Sequence, residues 1–496
     1  MKCFAWWAAC VVALWTVPGL LAEEATPKKA NASTTEAMDL LQSAALHAAR
    51  GENAEAEGCC RKLLDNPDLL RHVDSLKVRS LLGTCLRKLK RHDEAFETLK
   101  GVLKEQREQL GEDSPEVKST VGALDGLTID MTWPQATKVN RPPQEYDAAI
   151  AVAEEAAALR LTHSRWQLAL LKLRHGDRAA GLEWISKSLT EDNNWLGQFS
   201  ILAMALWENG NQQLARDAHA VVCDRTAKTK DVWEPIKTLR DQATEQLKIG
   251  EADPAKQMSR EDLVAAYSRL IEAYPGVGRL HGWRANHLGC LGRSDDAVRD
   301  MAKASELEPE NWRFGEGLAV LRLATAGAEE QTKICRELWD DSLKKEKYGT
   351  RGGDMDLVLL CSLAGDAELD RKMILDRADE ILARTPTRPF LELSRGMALY
   401  RCGRYEEAFD VLPSDDSPYG NLKDRGLAII FRAMTHHKLG DKFAAKRLLE
   451  SARKLHADEF SASPVVRMPY QDAAVVDSMI RIALKETEAL ITKQEI

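Results

Sequence analysis

The chain has 496 residues and a formal net charge of −8 at pH 7, a length that allows about two to four ordinary domains or one extended array. The acidic balance argues against nucleic acid as the main partner, because phosphate binding requires a basic surface. Aromatic residues make up 6% of the chain, while Ala, Leu, Glu, Lys and Arg are abundant. This composition favours helices over sheets.

The first segment has the features of an export signal. A short basic start and an almost wholly apolar run over residues 3–17 precede the helix breaker Pro18–Gly19 and the small residue Ala22. We predict a signal peptide over residues 1–22, a flexible leader over residues 23–35, and export to the periplasm, the cell envelope or the medium. No later stretch is apolar enough to span a bilayer. An uncleaved signal is therefore the predicted route to a membrane.

After the leader, a short sequence pattern recurs. It consists of an apolar run, a Gly, a charged turn, and a second run with Ala near its start. It is clearest at residues 292–297 and 403–408. Weaker copies lie at residues 51–56, 90–95 (with Lys in place of Gly), 210–215 and 440–445. Seven positions before each turn stands a small residue, namely Ala44, Gly83, Ala169, Ala203, Ala285, Gly396 or Ala433. A large side chain there would hold two crossing helices too far apart.

These positions resemble the tetratricopeptide repeat, which has small residues near repeat positions 8, 20 and 27, Gly near position 15 and Pro near position 32. The best-matching unit carries Ala285, Gly292, Ala297, Ala304 and Pro309. The resemblance implies an all-α fold, a superhelical α-solenoid of antiparallel helix pairs. Its C-terminal part is similar to the repeat arrays that accompany bacterial Ser/Thr kinases.

Two departures interrupt the array. Trp133–Pro134 and the prolines at positions 142 and 143 predict an insert that cannot be continuous helix, and Tyr348–Asp354 is a Gly-rich loop within an expanded repeat. The predicted organisation is repeats over 36–128, an insert over 129–145, repeats over 146–250 and 259–458, and a linker with a capping helix over 459–496. That last helix is expected to cover the final apolar face, as repeat arrays require.

The sequence offers no constellation for catalysis, metal binding or cofactor binding. His436 and His437 are adjacent and point about 100° apart on a helix, so they cannot form an i, i+4 metal pair. The cysteines outside the signal show no zinc spacing and are expected as buried apolar residues, with a disulfide left open. The kinase signature residues are missing. We therefore predict no enzyme activity, no cofactor and no metal.

The functional surface that the resemblance implies is a concave groove lined by the first helix of each repeat. Positions pointing into this groove give the candidate residues Trp166, Met204, Trp207, Asn286, Met397, Tyr400, Arg401, Met434, His437 and Lys438. Aromatic and Met side chains would anchor an extended peptide or a partner helix. The alternative, which the sequence leaves open, is that several of them only fill the inner packing of the solenoid.

The predicted function is an exported scaffold or adaptor that binds a protein or peptide partner through this groove. The alternative is a glycan-binding accessory protein of an outer-membrane uptake system, for which Trp133 and Trp195 are loop-like candidates for sugar-stacking platforms. A lipid-anchoring Cys, which such proteins usually carry, is absent at the signal cleavage point.

Overall fold

The computed structural model describes residues 32–161, 163–191, 195–226, 232–248, 258–345, 353–365, 367–384, 389–414, 422–461 and 473–492. The predicted signal peptide and most of the Gly-rich loop at 348–354 lie outside these residues. Every regular element within them is helical, which confirms the all-α fold class. No helix among them combines the length and the apolar content needed to cross a bilayer.

The chain forms two compact units, Met1–Gln198 and Phe199–Ile496. The helices of the first unit are α1 (Ala32–Arg50), α2 (Asn53–Leu64), α3 (Pro67–Leu70), α4 (Ser75–Lys88), α5 (His92–Leu110), α6 (Pro115–Ala136), α7 (Asp147–Ala158), α8 (Ser164–His175) and α9 (Arg178–Glu191). A 3₁₀ turn over Pro143–Tyr146 precedes α7. The inner helices α1, α4, α6 and α8 each pack on the next inner helix and on their own pair partners α2, α5, α7 and α9. This is the contact pattern of a solenoid of antiparallel pairs.

The helices of the second unit follow the same pattern. They are α10 (Gly197–Glu208, beginning just before the boundary), α11 (Gln212–Thr226), α12 (Glu234–Gln246), α13 (Arg260–Ala273), α14 (Gly278–Cys290), α15 (Ser294–Leu307), α16 (Trp312–Thr325), α17 (Ala328–Lys345), α18 (Gly353–Leu363), α19 (Arg371–Arg384), α20 (Pro389–Arg401), α21 (Tyr405–Val411), α22 (Leu422–Lys438), α23 (Lys442–His456) and α24 (Ala473–Thr492). The inner helices α14, α16, α18, α20 and α22 pair with α15, α17, α19, α21 and α23, respectively.

The recurring Gly ends an inner helix in each repeat. Gly292 has φ +74°, and its N–H donates to Gly289 O at 3.0 Å while Arg293 N–H donates to Leu288 O at 2.9 Å. These bonds satisfy carbonyls that the helix end would leave unpaired. Lys90, which replaces Gly in one copy, adopts the same left-handed region at φ +61°. A side chain there costs about 1–2 kcal/mol, which explains why Gly dominates this position.

The small residues before the turns are required where the paired helices cross. A Cβ on Gly83 would lie 2.5 Å from Leu99 Cγ, and one on Gly396 would lie 2.7 Å from Leu412 Cγ. Both distances are far inside van der Waals contact, so a larger side chain would force the pair apart. The crossing positions predicted from the sequence are therefore confirmed.

Two predicted boundaries are wrong. Helix α1 begins at Ala32, inside the predicted leader, and Thr34 Oγ1 ties its first turn to His72 Nδ1 at 3.2 Å. Helix α6 continues through Pro134 to Ala136, so the boundary between residues 128 and 129 falls inside a helix and Trp133 is not a loop residue. Pro134 is exposed, so the carbonyl that loses its partner there faces water instead of the core.

The eight cysteines beyond the signal segment are free thiols. Five are buried and three are half-buried, namely Cys60, Cys85, Cys223, Cys335 and Cys361 in the first group and Cys59, Cys290 and Cys402 in the second. Burial of most of them agrees with the expectation that they act as small apolar residues.

Candidate functional site

A helix of the chain itself lies in the groove of the second unit. Helix α24, hereafter the inserted helix, packs against α14, α16, α18, α22 and α23. It joins the apolar core of those repeats through the buried side chains Val475, Val476, Met479, Ile480, Ala483, Leu484 and Ile491. The helix therefore covers the last repeat, as expected, and in addition extends along inner helices of the earlier repeats. The groove offers a longer apolar surface than one terminal face does, and burial is favoured in proportion to area.

Contacts on opposite sides show that the inserted helix is enclosed. Asp477 and Glu488 pair with His456 and Arg453 of α23. Glu486 pairs with Arg401 at the end of α20. With about 100° per residue, positions 477 and 488 share one side of a helix and position 486 lies on the opposite side. The helix is thus held between the last repeat and the repeats before it.

Glycines on the inner helices let the inserted helix approach closely. A Cβ on Gly289 would lie 2.6 Å from Ala474 Cβ, and a Cβ on Gly426 would lie 3.0 Å from Ile480 Cδ1. Ordinary side chains at these two positions would hold the inserted helix away from the groove floor. The floor is therefore shaped for a helix whose own first turn carries small residues.

Three polar contacts fix the register of the inserted helix. Asn286 Oδ1 accepts a hydrogen bond of 2.8 Å from the buried N–H of Ala474, one of the N–H groups that a helix start leaves unpaired. Arg401 makes a two-pronged contact with Glu486, in which Nη2 donates to Oε2 at 2.7 Å. His456 Nε2 lies 2.7 Å from Asp477 Oδ1.

The surroundings of Glu486 are strongly basic. Arg401 has a side chain only 8% exposed, and its Nε also donates to Ser362 O at 2.6 Å. Arg371 lies beside it, and burial together with the charge of Arg401 lowers the pKa of Arg371. The neighbouring Tyr400 phenol is buried, which raises its pKa above the ordinary value. Two guanidinium groups therefore lie near one carboxylate, whose side chain is 31% exposed, and the more deeply buried Arg401 depends most on this pairing.

The second unit curls back on itself around the inserted helix. Lys423 at the start of α22 lies 3.8 Å from Glu316 of α16, and both side chains are mostly buried. Helices α16 and α22 are separated in the array by α18 and α20, so this ion pair joins repeats that are not neighbours in sequence. It forms part of the wall that encloses the inserted helix.

The structure places most of the sequence-predicted groove residues in the interior. Buried members are Trp166, Met204, Asn286, Met397, Tyr400, Met434 and His437. Trp207 and Arg401 are half-buried, and Lys438 is exposed. Asn286 and Arg401 contact the inserted helix directly. A role of the ten residues in binding another protein stays a prediction.

An aromatic cluster fills the corresponding position of the first unit. Trp166 is 3% exposed, with its ring centroid 4.2 Å from that of Trp195 and 6.0 Å from that of Trp133. Its indole N–H has no hydrogen-bond partner among the described residues, which identifies it as an apolar packing residue. Trp133 and Trp195, the candidate sugar platforms, are half-buried and pack against it.

Two histidines of the second unit, His281 and His287, belong to buried polar pairs. His287 Nε2 lies 3.0 Å from Asp224 Oδ2, which also accepts from Tyr267 Oη at 3.0 Å. His281 contacts Asp300 instead. Burial alone would raise the pKa of Asp224, but the hydrogen bonds from His287 and Tyr267 and the electrostatic interactions with His287 and Arg225 together hold that pKa below its ordinary value. Across the described residues no group of three or more His, Cys, Asp or Glu side chains is arranged to hold a metal ion.

Sequence reasoning missed the partners of the inserted helix, although two signals were present. The first eight residues of the helix, 473–480, are almost all buried, whereas a helix covering one face has an exposed stripe. The run Ala473–Val476 is apolar on every side and thus indicates an enclosed helix. Asp477 follows directly on this run, and an acidic residue in such a place indicates a buried ionic partner.

No protein-family model matches the chain, and no curated protein matches it. Among solved structures it is similar to yeast Tom70, with 14% identity over 93% of this chain and 97% of that chain and a TM-score of 0.30. It is also similar to the APC/C hetero-tetramer Cut9–Hcn1, with 14% identity over 93% of this chain and 88% of that chain and a TM-score of 0.33. These values are too low for anything to be transferred from either protein, and the α-solenoid follows from the helix pairs described above.

Proposed function

We propose that the chain is a scaffold or adaptor that binds a protein partner by holding a helix of that partner in the groove of the second unit. The observation that carries this proposal is the inserted helix itself. It has 20 residues, about 30 Å of helix, and is seated along the inner helices through apolar and polar contacts. Binding of an amphipathic helix in an apolar groove is a recurring mode of protein recognition.

In this proposal the inserted helix and the partner helix compete for one site. An intramolecular occupant lowers the apparent affinity for a partner by the fraction of molecules in which the groove is free. The export signal supports a location outside the cytoplasm, and the proposal therefore places the partner in the cell envelope or beyond. Binding, rather than catalysis, is the function that a groove of this kind supports.

The test is quantitative affinity capture from an envelope fraction with three forms of the full chain as bait. The wild type is compared with Glu486→Lys, which places a third positive charge beside Arg401 and Arg371 and loosens the inserted helix without altering the groove. Lys485→Glu, a charge reversal at the exposed neighbour, is the matched control. We expect at least one protein to be recovered about threefold more with Glu486→Lys than with either other bait.

Equal recovery with all three baits would show that the groove is not the binding site. Recovery of no protein above background with any bait would overturn the scaffold proposal itself. No observation on the described residues supports the glycan-binding alternative. Trp133 and Trp195, its candidate platforms, pack against Trp166.

A further inference from the structure

We propose that the groove selects an acidic partner helix that carries a small residue in its first turn and two carboxylates nine positions apart. This inference rests on the proposed function and names the chemistry of the partner. The template is the inserted helix, in which Ala474 is the small residue and Asp477 and Glu486 are the carboxylates. Each of these three side chains contacts or packs against a group that is fixed in the groove.

The basic end of the groove requires the second carboxylate. Arg401 is held in place by its bond to Ser362 O, and it stacks over the rings of Tyr400 and Phe431 at 5.6 and 5.3 Å. Arg371 is held by the carbonyls of Ala364, Gly365 and Ala367. Neither guanidinium can turn away to solvent without breaking these contacts. A helix lacking a carboxylate here would leave the nearly buried guanidinium of Arg401 beside Arg371 without its carboxylate partner.

The other end of the groove contacts the first carboxylate and the start of the helix. Asp477 is buried, and it lies between His456 of the groove and Arg481 of its own helix. Asn286 meets a backbone N–H, which any residue except Pro supplies. Gly289 leaves room for no more than a small side chain at the position of Ala474. This end therefore selects size and charge together.

The spacing follows from the enclosure of the helix. Asp477 faces the last repeat and Glu486 faces the earlier repeats, and nine residues turn a helix by about 900°, which places the two carboxylates on opposite sides. A carboxylate at a neighbouring position would be turned away from Arg401 by about 100°. The two fixed groups, His456 on one side and Arg401 on the other, thus define the spacing of the carboxylates that a partner helix must carry.

The experiment uses a fluorescent peptide with the sequence of residues 473–492 and the full chain carrying Asp477→Lys and Glu486→Lys. Both changes lie in the inserted helix, so the groove residues stay as they are. We expect the peptide to bind this variant at least about tenfold more tightly than it binds the wild type, because the intramolecular competitor is weakened. Hydrogen exchange of residues 473–492 in the chain confirms that the competitor has been released.

Two altered peptides then test the selectivity. Lys in place of Glu486 in the peptide is expected to weaken binding at least about tenfold, because it brings a third positive charge beside Arg401 and Arg371. Lys in place of Glu488 is the matched control, since Glu488 pairs with Arg453 on the surface, where both side chains are more than two-fifths exposed and such pairs contribute little. Its effect should stay within about twofold.

The outcomes separate the two proposals. Tight binding that is lost equally with both altered peptides, or with neither, overturns the acidic selectivity and leaves the helix-binding groove standing. No binding to the released variant overturns the groove as a site for a separate helix, and the selectivity with it. Should circular dichroism show that the double variant has lost its helices, Glu486→Lys alone is used with the same peptides and the same criteria.

Discussion

The two units cover the inner faces of their repeats in different ways. In the first unit, Trp166 lies between Trp133 and Trp195, so the inner face is filled by large side chains from the repeats themselves. In the second unit the inner helices carry glycines, such as Gly289 and Gly426, and a separate helix fills the space. A repeat array must cover its inner apolar surface in some way. In the function proposed above, only the second solution could be exchanged for a helix of another chain.

Two ion pairs, one from each unit, differ in how deeply the arginine side chain is buried. In the first unit Arg79 and Glu105 pair at 2.6 Å with side chains 27% and 42% exposed, a setting in which a pair adds about 0–1 kcal/mol. In the second unit Arg401 meets Glu486 with only 8% of the arginine side chain exposed. Because Arg401 is more deeply buried than Arg79, the loss of its carboxylate partner is expected to cost more than the loss of Glu105 from Arg79.

The largest expected effect comes from placing a charge under the inserted helix. Ile480 is 1% exposed, and Ile480→Asp would bury a carboxylate against Gly426 and the surrounding apolar core. We expect a loss of about 5 kcal/mol in the stability of the second unit, enough to expel the helix. Hydrogen–deuterium exchange should show protection lost from α14 to α24 while helices α1 to α9 keep theirs.

Lys485→Ala, on the exposed side of the same helix, is the control and should leave the exchange of both units unchanged. Retained protection in the second unit of Ile480→Asp would contradict the seating of the inserted helix in the groove. Loss of protection in both units would show that the two inner faces do not respond separately.

A smaller effect is expected from the corresponding filler of the first unit. Trp166→Ala removes a ring packed between two others and leaves a cavity, at an expected loss of about 4 kcal/mol in the stability of that unit. Limited proteolysis should cut within residues 115–191 of the variant faster than in the wild type, with the second unit spared. Met38→Ala, at a side chain 55% exposed, serves as control. Equal cleavage of Trp166→Ala and Met38→Ala would disprove the role of the cluster.

The smallest effect concerns the buried polar pair of the second unit and depends on pH. The pKa of Asp224 lies below its ordinary value of 3.8 because its interactions with His287, Arg225 and Tyr267 together outweigh burial. A carboxylate with a lowered pKa stabilises the fold above that value and loses this contribution as the pH falls through the lowered pKa. Asp224→Asn is expected to cost about 2 kcal/mol at pH 7, and this difference should shrink as the pH falls below about 4.

Urea unfolding of the wild type and Asp224→Asn at pH 7 and at pH 3 measures this difference. Asp241→Asn, whose side chain is 57% exposed, is the control and should be neutral at both values. A cost for Asp224→Asn that grows towards acid pH would contradict a lowered pKa for this carboxyl group.

The local part of the fold was predictable from the sequence, because each signal and its consequence lie within one repeat. The helix end at Gly292 is closed by bonds from Gly292 to Gly289 and from Arg293 to Leu288, which span three and five positions, and Ala285 is small because the helix that follows crosses there. The position of the inserted helix was not predictable in this way. Ala474 meets Asn286 across 188 positions, and the period of a repeat carries no information on which distant segment will cover its inner face.

The site was predictable to a similar extent. The register of the repeats predicted that Asn286 and Arg401 lie on the inner face, and both contact the inserted helix. It could not show that Glu486 would meet Arg401, because a carboxylate on an amphipathic helix is most simply interpreted as solvated. Charge complementarity becomes visible only when both groups are placed in space.

The long sequence separation between Asn286 and Ala474 also sets the order in which the second unit can assemble. Helices α14 to α23 emerge during synthesis before the helix that completes their core, and contacts between distant segments form slowly. Until residues 473–492 arrive, the inner surface of these repeats is exposed to chaperones and proteases. A chain that stops before residue 473 keeps that surface open. The core of the second unit is therefore completed only after residues 473–492 have been synthesised.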